Sequence, residues 1–309
     1  MCGLFGYLSY GNKLKGSNEI LHCLAVSSAE RGTDATGIAY IMDKKLEIEK
    51  APKSAYSFEI DVPRGTKAVM GHTRHSTQGS EKHIINNHPF KGRLNDKTMF
   101  ALAHNGVISN DTLLRKQFKL PKTKIQTDSY IAVQLLEKKG SLSMKSLSYM
   151  AEQISGSFSF SILDEHNSLY IVKGDSPVSI LHFKEQKTYV YASTEKLLWQ
   201  ALIHSPLFES LKKGEAIPVD IKDGQIIKID AFGGISYGKF DYKDYSCENF
   251  RWWDFGIHEP QDDYTQDLKQ TAAYLGYDKS RVDDLIQMGY SCDEIEEILY
   301  DPQYDMIGY

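Results

Sequence analysis

The chain has 309 residues, 41% hydrophobic and 25% charged, the proportions of a folded globular protein and not of a disordered or fibrous one. No apolar run approaches the roughly 18 residues that a membrane helix needs, and the N-terminus lacks the basic and long apolar regions of a secretory leader, so a cytoplasmic setting without a membrane partner is expected. The net charge of −5 is uneven, with residues 262–309 carrying net −9 and residues 1–261 the remaining +4; neither half has the concentrated basic patch of a nucleic-acid-binding protein.

Taken in chain order, short runs rich in β-branched and aromatic residues predict strands at LFGYLSY, TGIAYIM, KAVMGHT, MFALAHNGVI, SFSFSIL, LYIVKG, SILHF, TYVYAS, EAIPVDI and QIIKID. Between them lie helical patterns with start and stop signals. Ser17 precedes Ile20, Leu21, Leu24 and Ala25, with a stop at Gly32, and Thr127 precedes Ile131 and Leu135 ahead of Gly140. Two more patterns begin at Ser143 and Thr194. Strands outnumber helices and are mostly not separated one by one by them, which argues for an α+β protein and against a doubly wound parallel sheet. Residues 231–261 turn glycine- and aromatic-rich and read as a linker. Residues 262–309 read as an acidic helical tail, in which Val282, Leu285 and Ile286 share a face, and Ser291 with Glu294 forms a capping box.

Cysteines 2, 23, 247 and 292 show no C-x-x-C pairing, so neither a disulfide framework nor a zinc knuckle is indicated. Cys2 stands directly ahead of an apolar run that can enter a sheet, which would pin its thiol at a strand end. Four further segments place unusual polar residues in or beside apolar strands: RGTDATGIA (31–39), GHTRHSTQG (71–79), LAHNGVISN (102–110) and QTDSYIAV (126–133). Each alone has a structural explanation. Arg74 can snorkel, His104-Asn105-Gly106 can form a turn, and Asp128 suits a helix N-terminus. Together they ask for a joint explanation.

An N-terminal Cys2-Gly3 followed in order by these segments resembles a class II glutamine amidotransferase domain, the glutaminase of glucosamine-6-phosphate synthase, amidophosphoribosyltransferase and asparagine synthetase and a branch of the N-terminal nucleophile hydrolases. The resemblance runs from residue 2 to about 230 and includes NNHPF (86–90), SGSFSFSIL (155–163) and YASTEKLLWQAL (191–202). It implies a four-layer α-β-β-α sandwich of two antiparallel sheets, L-glutamine as substrate, no cofactor and no metal. Residues 1–230 are then the glutaminase domain, followed by the linker and a small helical extension.

Elementary chemistry agrees with this. A free thiol, with a pKa of about 8.5, is only slightly ionised at neutral pH and wants a base beside it. An α-amino group titrates at about 7.7–8.0, so removing Met1 would give Cys2 both nucleophile and base. The resemblance implies Asn105 (side-chain NH2) and Gly106 (backbone N–H) as donors to the tetrahedral oxyanion. Arg74 suits the glutamine carboxylate and Asp128 its ammonium; these are the family's positions too. Thr77 adds a candidate hydroxyl contact, and Arg31 with Asp34 resembles the family segment that supports the nucleophile.

The chain departs from the glucosamine-6-phosphate synthase pattern Arg-Trp-Ala-Thr-His-Gly with Arg74-His75-Ser76-Thr77-Gln78-Gly79, which changes the loop expected to close over glutamine. His72 and His75 stand three apart on a strand, on opposite faces, which argues against a shared metal. The sequence shows no phosphate loop and no dinucleotide fingerprint. A separate ammonia-accepting synthase is therefore the expected partner, docked through Phe250, Trp252, Trp253 and Phe255 and the acidic tail; a homo-oligomer is left open. Two rivals stand beside this reading: a glutamine-sensing module without turnover, and an N-terminal nucleophile amidase acting on another amide.

Overall fold

The computed structural model describes residues 2–11, 14–242 and 263–288, together with Ile295, Ile298 and Leu299. These form two compact units, divided between Ser246 and Cys247. Met1, the four linker aromatics and the Ser291–Glu294 capping box lie outside the described residues.

In the first unit two antiparallel sheets stack. The seven-stranded sheet contains β1 (Gly3–Ser9), β2 (Ala35–Met42), β3 (Lys45–Ala51), β4 (Ala68–Arg74), β9 (Ser179–Phe183), β10 (Thr188–Ala192) and β11 (Ala216–Pro218), ordered β11-β9-β10-β1-β4-β2-β3. The six-stranded sheet contains β5 (Phe90–Arg93), β6 (Met99–Ile108), β7 (Gly156–Asp164), β8 (Leu169–Lys173), β12 (Gln225–Ile229) and β13 (Ile235–Lys239), ordered β13-β12-β8-β7-β6-β5. The sheet thus runs past residue 230 into the stretch read as linker. Asp230 makes this hairpin possible, its Oδ1 accepting from the backbone N–H groups of Phe232 and Gly234.

Alternation along β1 shows how the layers arise, because successive side chains of a strand point to opposite faces. Leu4 and Leu8 join Ala39, Met70, Ala101, Leu163 and Ile171 in the core between the sheets. Phe5 and Tyr7 face the other way, against Ile20, Leu21 and Leu24 of α1 (Ser17–Ser28) and Leu198 and Leu202 of α5 (Glu195–Ile203). On the far side of the second sheet, Phe100, Phe158, Phe160 and Ile162 pack on Ile131 and Leu135 of α3 (Tyr130–Lys139) and on Leu147 and Met150 of α4 (Met144–Gln153). The result is the α-β-β-α order expected from the sequence. Two shorter helices, α2 (Asp111–Gln117) and α6 (Phe208–Lys212), complete the described helices of this unit.

The helix starts follow their sequence signals in two cases. The Ser143 hydroxyl accepts from Ser146 N–H, and the Thr194 hydroxyl from Leu197 N–H, each satisfying a donor that the first helical turn leaves open. Gly140 closes α3 in a left-handed conformation. In the second unit α7 (Asp263–Tyr274) and α8 (Ser280–Gln287) bury Leu268, Ala272 and Val282 with Ile295 and Leu299. Ile286, expected on the buried face, is exposed.

Both sheets lay an aromatic ring over a glycine on the neighbouring strand. Phe5 pairs with Gly71 and Phe100 with Gly92, and a Cβ on either glycine would stand 2.3 Å or 2.2 Å from the facing ring. Gly71→Ala is expected to destabilise the protein by about 1–3 kcal/mol through overpacking, read as a lower urea midpoint at unchanged slope. An unchanged midpoint would mean that the Phe5 ring is not confined by this strand.

Candidate active site

Cys2 stands immediately ahead of β1, a strand buried along its whole length between β10 and β4. Gly3 pairs with Thr73, so Cys2 is held level with Arg74 at the end of β4. Only glycine fits at position 3, where a Cβ would lie 2.5 Å from Thr73 Oγ1 and 2.9 Å from Ser28 O. The segment Arg31–Asp34 crosses the same strand ends. Gly32 passes so close that a Cβ would stand 2.3 Å from the Arg74 carbonyl carbon, and Asp34 N–H donates to Arg74 O at 3.0 Å.

Arg31 ties the two halves of the site together. Its Nε donates to Cys2 O at 2.7 Å, and its Nη2 reaches Asn105 Oδ1 at 3.4 Å. With its oxygen so directed, the Asn105 amide nitrogen is buried without a hydrogen-bond partner. The half-buried Cys2 thiol points toward His75 O at 3.4 Å, and burial raises its pKa above the ordinary thiol value.

The backbone of β6 supplies a second donor beside Asn105. Opposite Gly106 stands Phe158, which gives its N–H to Asp175 Oδ1 at 2.9 Å and accepts from Gly174 N–H at 3.0 Å. Both backbone groups of Phe158 thus face the side of β7 away from β6, which makes Gly106–Phe158 a non-hydrogen-bonded pair and points the Gly106 N–H away from β7. His104 O and Ile108 N–H, two residues to either side, are directed the same way, to His72 Nε2 at 3.0 Å and Asp128 Oδ2 at 2.7 Å. Gly106 has φ +131°, and a Cβ there would lie 2.0 Å from Ser157 O, so both its backbone conformation and its neighbour demand glycine.

Arg74 is only 2% exposed. Its Nη1 donates to Asn87 Oδ1 at 2.5 Å and its Nη2 to Gln78 O at 2.7 Å and Gly79 O at 2.6 Å. Both forks of a guanidinium include Nη2, so a bidentate grip on a substrate carboxylate requires the 78–79 carbonyls to withdraw. Asp34 anchors the start of this loop, its Oδ2 accepting from Ser76 N–H at 2.7 Å. Thr77 lies in the exposed part of the loop, and no hydrogen bond ties its hydroxyl to the cluster among the described residues. His72 is buried and His75 exposed, and burial lowers the His72 pKa to about 3. No three potential metal-ligating side chains come together among the described residues.

Sequence reasoning thus named Cys2, Arg31, Asp34, Arg74, Asn105, Gly106 and Asp128, but not two supports. Asn87, inside the quoted NNHPF, anchors Arg74. Lys50 of edge strand β3 in turn anchors the Asn87 loop, donating to Asn87 O at 2.6 Å and Pro89 O at 3.1 Å. In the sequence Lys50 belongs to a charged stretch, KLEIEKA, that looks like solvated surface.

A family model described as a glutamine amidotransferase domain matches residues 72–200, a span that holds Arg74, Asn105, Gly106 and Asp128 but not Cys2. A glutamine–fructose-6-phosphate aminotransferase (isomerizing) of Staphylococcus aureus is 30% identical over 254 residues, covering 75% of this chain and 39% of its own length. The enzyme of the same name from Oceanobacillus iheyensis is 29% identical over 188 residues, covering 58% of this chain and 30% of its own length. The chain thus spans well under half of these curated relatives. The glutamine phosphoribosylpyrophosphate amidotransferase of B. subtilis superposes with a TM-score of 0.60 at 21% identity, over 78% of this chain and 50% of that one, and shares the fold. The chain carries a class II glutamine amidotransferase domain, of the N-terminal nucleophile type.

Lys50 provides a pH test of the loop anchor. Burial, reinforced by the Arg74 charge, lowers its pKa to about 8. The folded protein therefore releases this proton before the unfolded chain does, and stability rises between pH 8 and the ordinary lysine pKa of about 10.4. Lys50→Met should flatten that rise relative to wild type in urea titrations at pH 8 and pH 10. Parallel curves for the two proteins would show that Lys50 ionises as a solvated lysine.

Proposed function

We propose that the chain hydrolyses L-glutamine to glutamate and ammonia through a γ-glutamyl thioester on Cys2, after removal of Met1. The observation that carries this reading is a buried Asn105 amide nitrogen without a partner, next to a Gly106 N–H that points away from β7. A buried polar group without a partner is costly, and such groups persist where a ligand supplies what is missing.

In this mechanism the α-amino group of mature Cys2 takes the proton of the thiol, whose pKa burial raises. The thiolate attacks the side-chain amide carbon, and the carbonyl electrons move onto oxygen, where Asn105 Nδ2 and Gly106 N–H stabilise them. Collapse expels the amide nitrogen, which leaves as ammonia with the proton held by the Cys2 ammonium. Water then cleaves the thioester to glutamate. Arg74 receives the substrate carboxylate once the 78–79 carbonyls withdraw, Asp128 receives the ammonium, and Thr77 closes with the loop. Arg31 and Asp34 hold the nucleophile's carbonyl and the loop in place.

The names of the relatives describe amino- or amidotransfer involving glutamine and a second substrate. For this chain we assign the role of a glutaminase subunit in the cytoplasm that hands ammonia to a separate synthase.

Glutamate release from purified protein tests this reading. Cys2→Ala should give no glutamate above background while remaining folded, and Asn105→Ala should lower kcat about 10²–10³-fold. Turnover by Cys2→Ala equal to wild type would overturn the mechanism.

A further inference from the structure

The carboxylate of Asp128 is held from two elements at once. Ile108 N–H on β6 donates to Oδ2 at 2.7 Å, while at the start of α3 Ser129 donates twice to Oδ1, from its backbone N–H at 2.7 Å and its hydroxyl at 3.1 Å. Behind Ser129 stands His104, whose Nδ1 lies 2.8 Å from the Ser129 hydroxyl oxygen and whose ring stacks on Phe160 with centroids 4.8 Å apart. His104, Asp128 and Ser129 are 1%, 3% and 2% exposed, so water does not compete for these contacts.

The number of protons fixes the direction of this chain. The Ser129 hydroxyl has one proton and faces two candidate acceptors, Asp128 Oδ1 and His104 Nδ1. Burial lowers the His104 pKa, so the ring is neutral and also has one proton to place. The carboxylate is the stronger acceptor and takes the Ser129 proton, leaving the hydroxyl oxygen to accept from His104. The ring proton therefore belongs on Nδ1, a tautomer assigned from the network. The opposite tautomer would aim Nε2–H at Ser157 O across 3.4 Å, a weak contact, and would withdraw the hydroxyl from Asp128.

We propose that His104 is a positioning residue for substrate recognition: through the Ser129 hydroxyl it fixes Asp128 Oδ1 for the α-ammonium of the amide substrate. This inference rests on the glutaminase reading above. His104 sits one residue from Asn105 on β6, and Ile108 of the same strand holds the other carboxylate oxygen. One rigid strand therefore sets both the ammonium acceptor and the oxyanion donors, and a substrate whose ammonium is seated has its amide aligned as well.

The role predicts a loss confined to the ammonium end of the substrate. Steady-state assays of the full chain would measure KM and kcat for glutamine, and the inhibition constant of 4-carbamoylbutanoate, the same amide lacking the α-amino group. His104→Phe keeps the ring stack and removes both nitrogens; Ser129→Ala removes only the hydroxyl. Each should raise KM for glutamine about five- to tenfold, the worth of one hydrogen bond, with kcat changed less than threefold and the inhibition constant of the deaminated amide changed less than twofold. His104→Asn, which returns an N–H donor near the Nδ1 position, and Ser129→Thr should restore most of the loss. Equal losses toward both compounds, or an unchanged KM in Ser129→Ala, would overturn the inference while leaving wild-type glutamine hydrolysis intact. A wild-type protein that releases no glutamate would instead sink the glutaminase reading, and this inference with it. Ser129→Ala carries the test if His104→Phe does not fold.

Discussion

The antiparallel register of β1 against β4 is the constraint on which the site depends. It sets Gly3 opposite Thr73, and so brings the first residues of the chain level with Arg74 and the loop beyond it. A chain end otherwise frays; here a strand buried on both faces, with Leu4 and Leu8 in one core and Phe5 and Tyr7 in another, fixes it. Slipping this register by one residue would turn all four side chains into the wrong layer, so the packing of the whole sandwich specifies where the Cys2 thiol sits. Close backbone approaches at Gly3 and Gly32 then bring Arg31 and Asp34 to the same strand ends.

The second sheet contributes the other half. β5 pairs with β6 only from Met99 to Leu102, so the outer backbone edge of β6 is open beyond that point. His104 O, Gly106 N–H and Ile108 N–H share this edge, and two of the three are engaged, by His72 and Asp128. The strand end thus becomes a row of directed polar groups that needs no loop to build it. Rigid placement of this kind is what electrostatic stabilisation of a developing charge requires, because donors already oriented need not reorganise during reaction.

Much of this was legible in the sequence, and each exception has its own physical cause. The ten predicted strands are present, whereas β3, β5 and β13 went unread, and all three are edge strands. An edge strand has one unpaired side and a face toward water, so it carries charge, as in KLEIEKA, or glycine and tyrosine, as in ISYGK, and loses the apolar run by which strands are recognised. The candidate site residues stood out because their side-chain types are unusual for apolar strands. Their supports were not: Lys50 and Asn87 stand 37 positions apart, and His104 and Ser129 stand 25 apart. No local pattern encodes such pairs. The state of Arg74 was also beyond reach, since its acceptors at Gln78 and Gly79 are backbone carbonyls that every residue carries.

Cys2 can supply both nucleophile and base in the proposed reaction only as the first residue of the working protein. The intact mass of a fully active preparation decides this. A single species lacking the initiator methionine is expected, whereas full glutaminase activity in protein that retains Met1 would rule out the Cys2 α-amino group as the base.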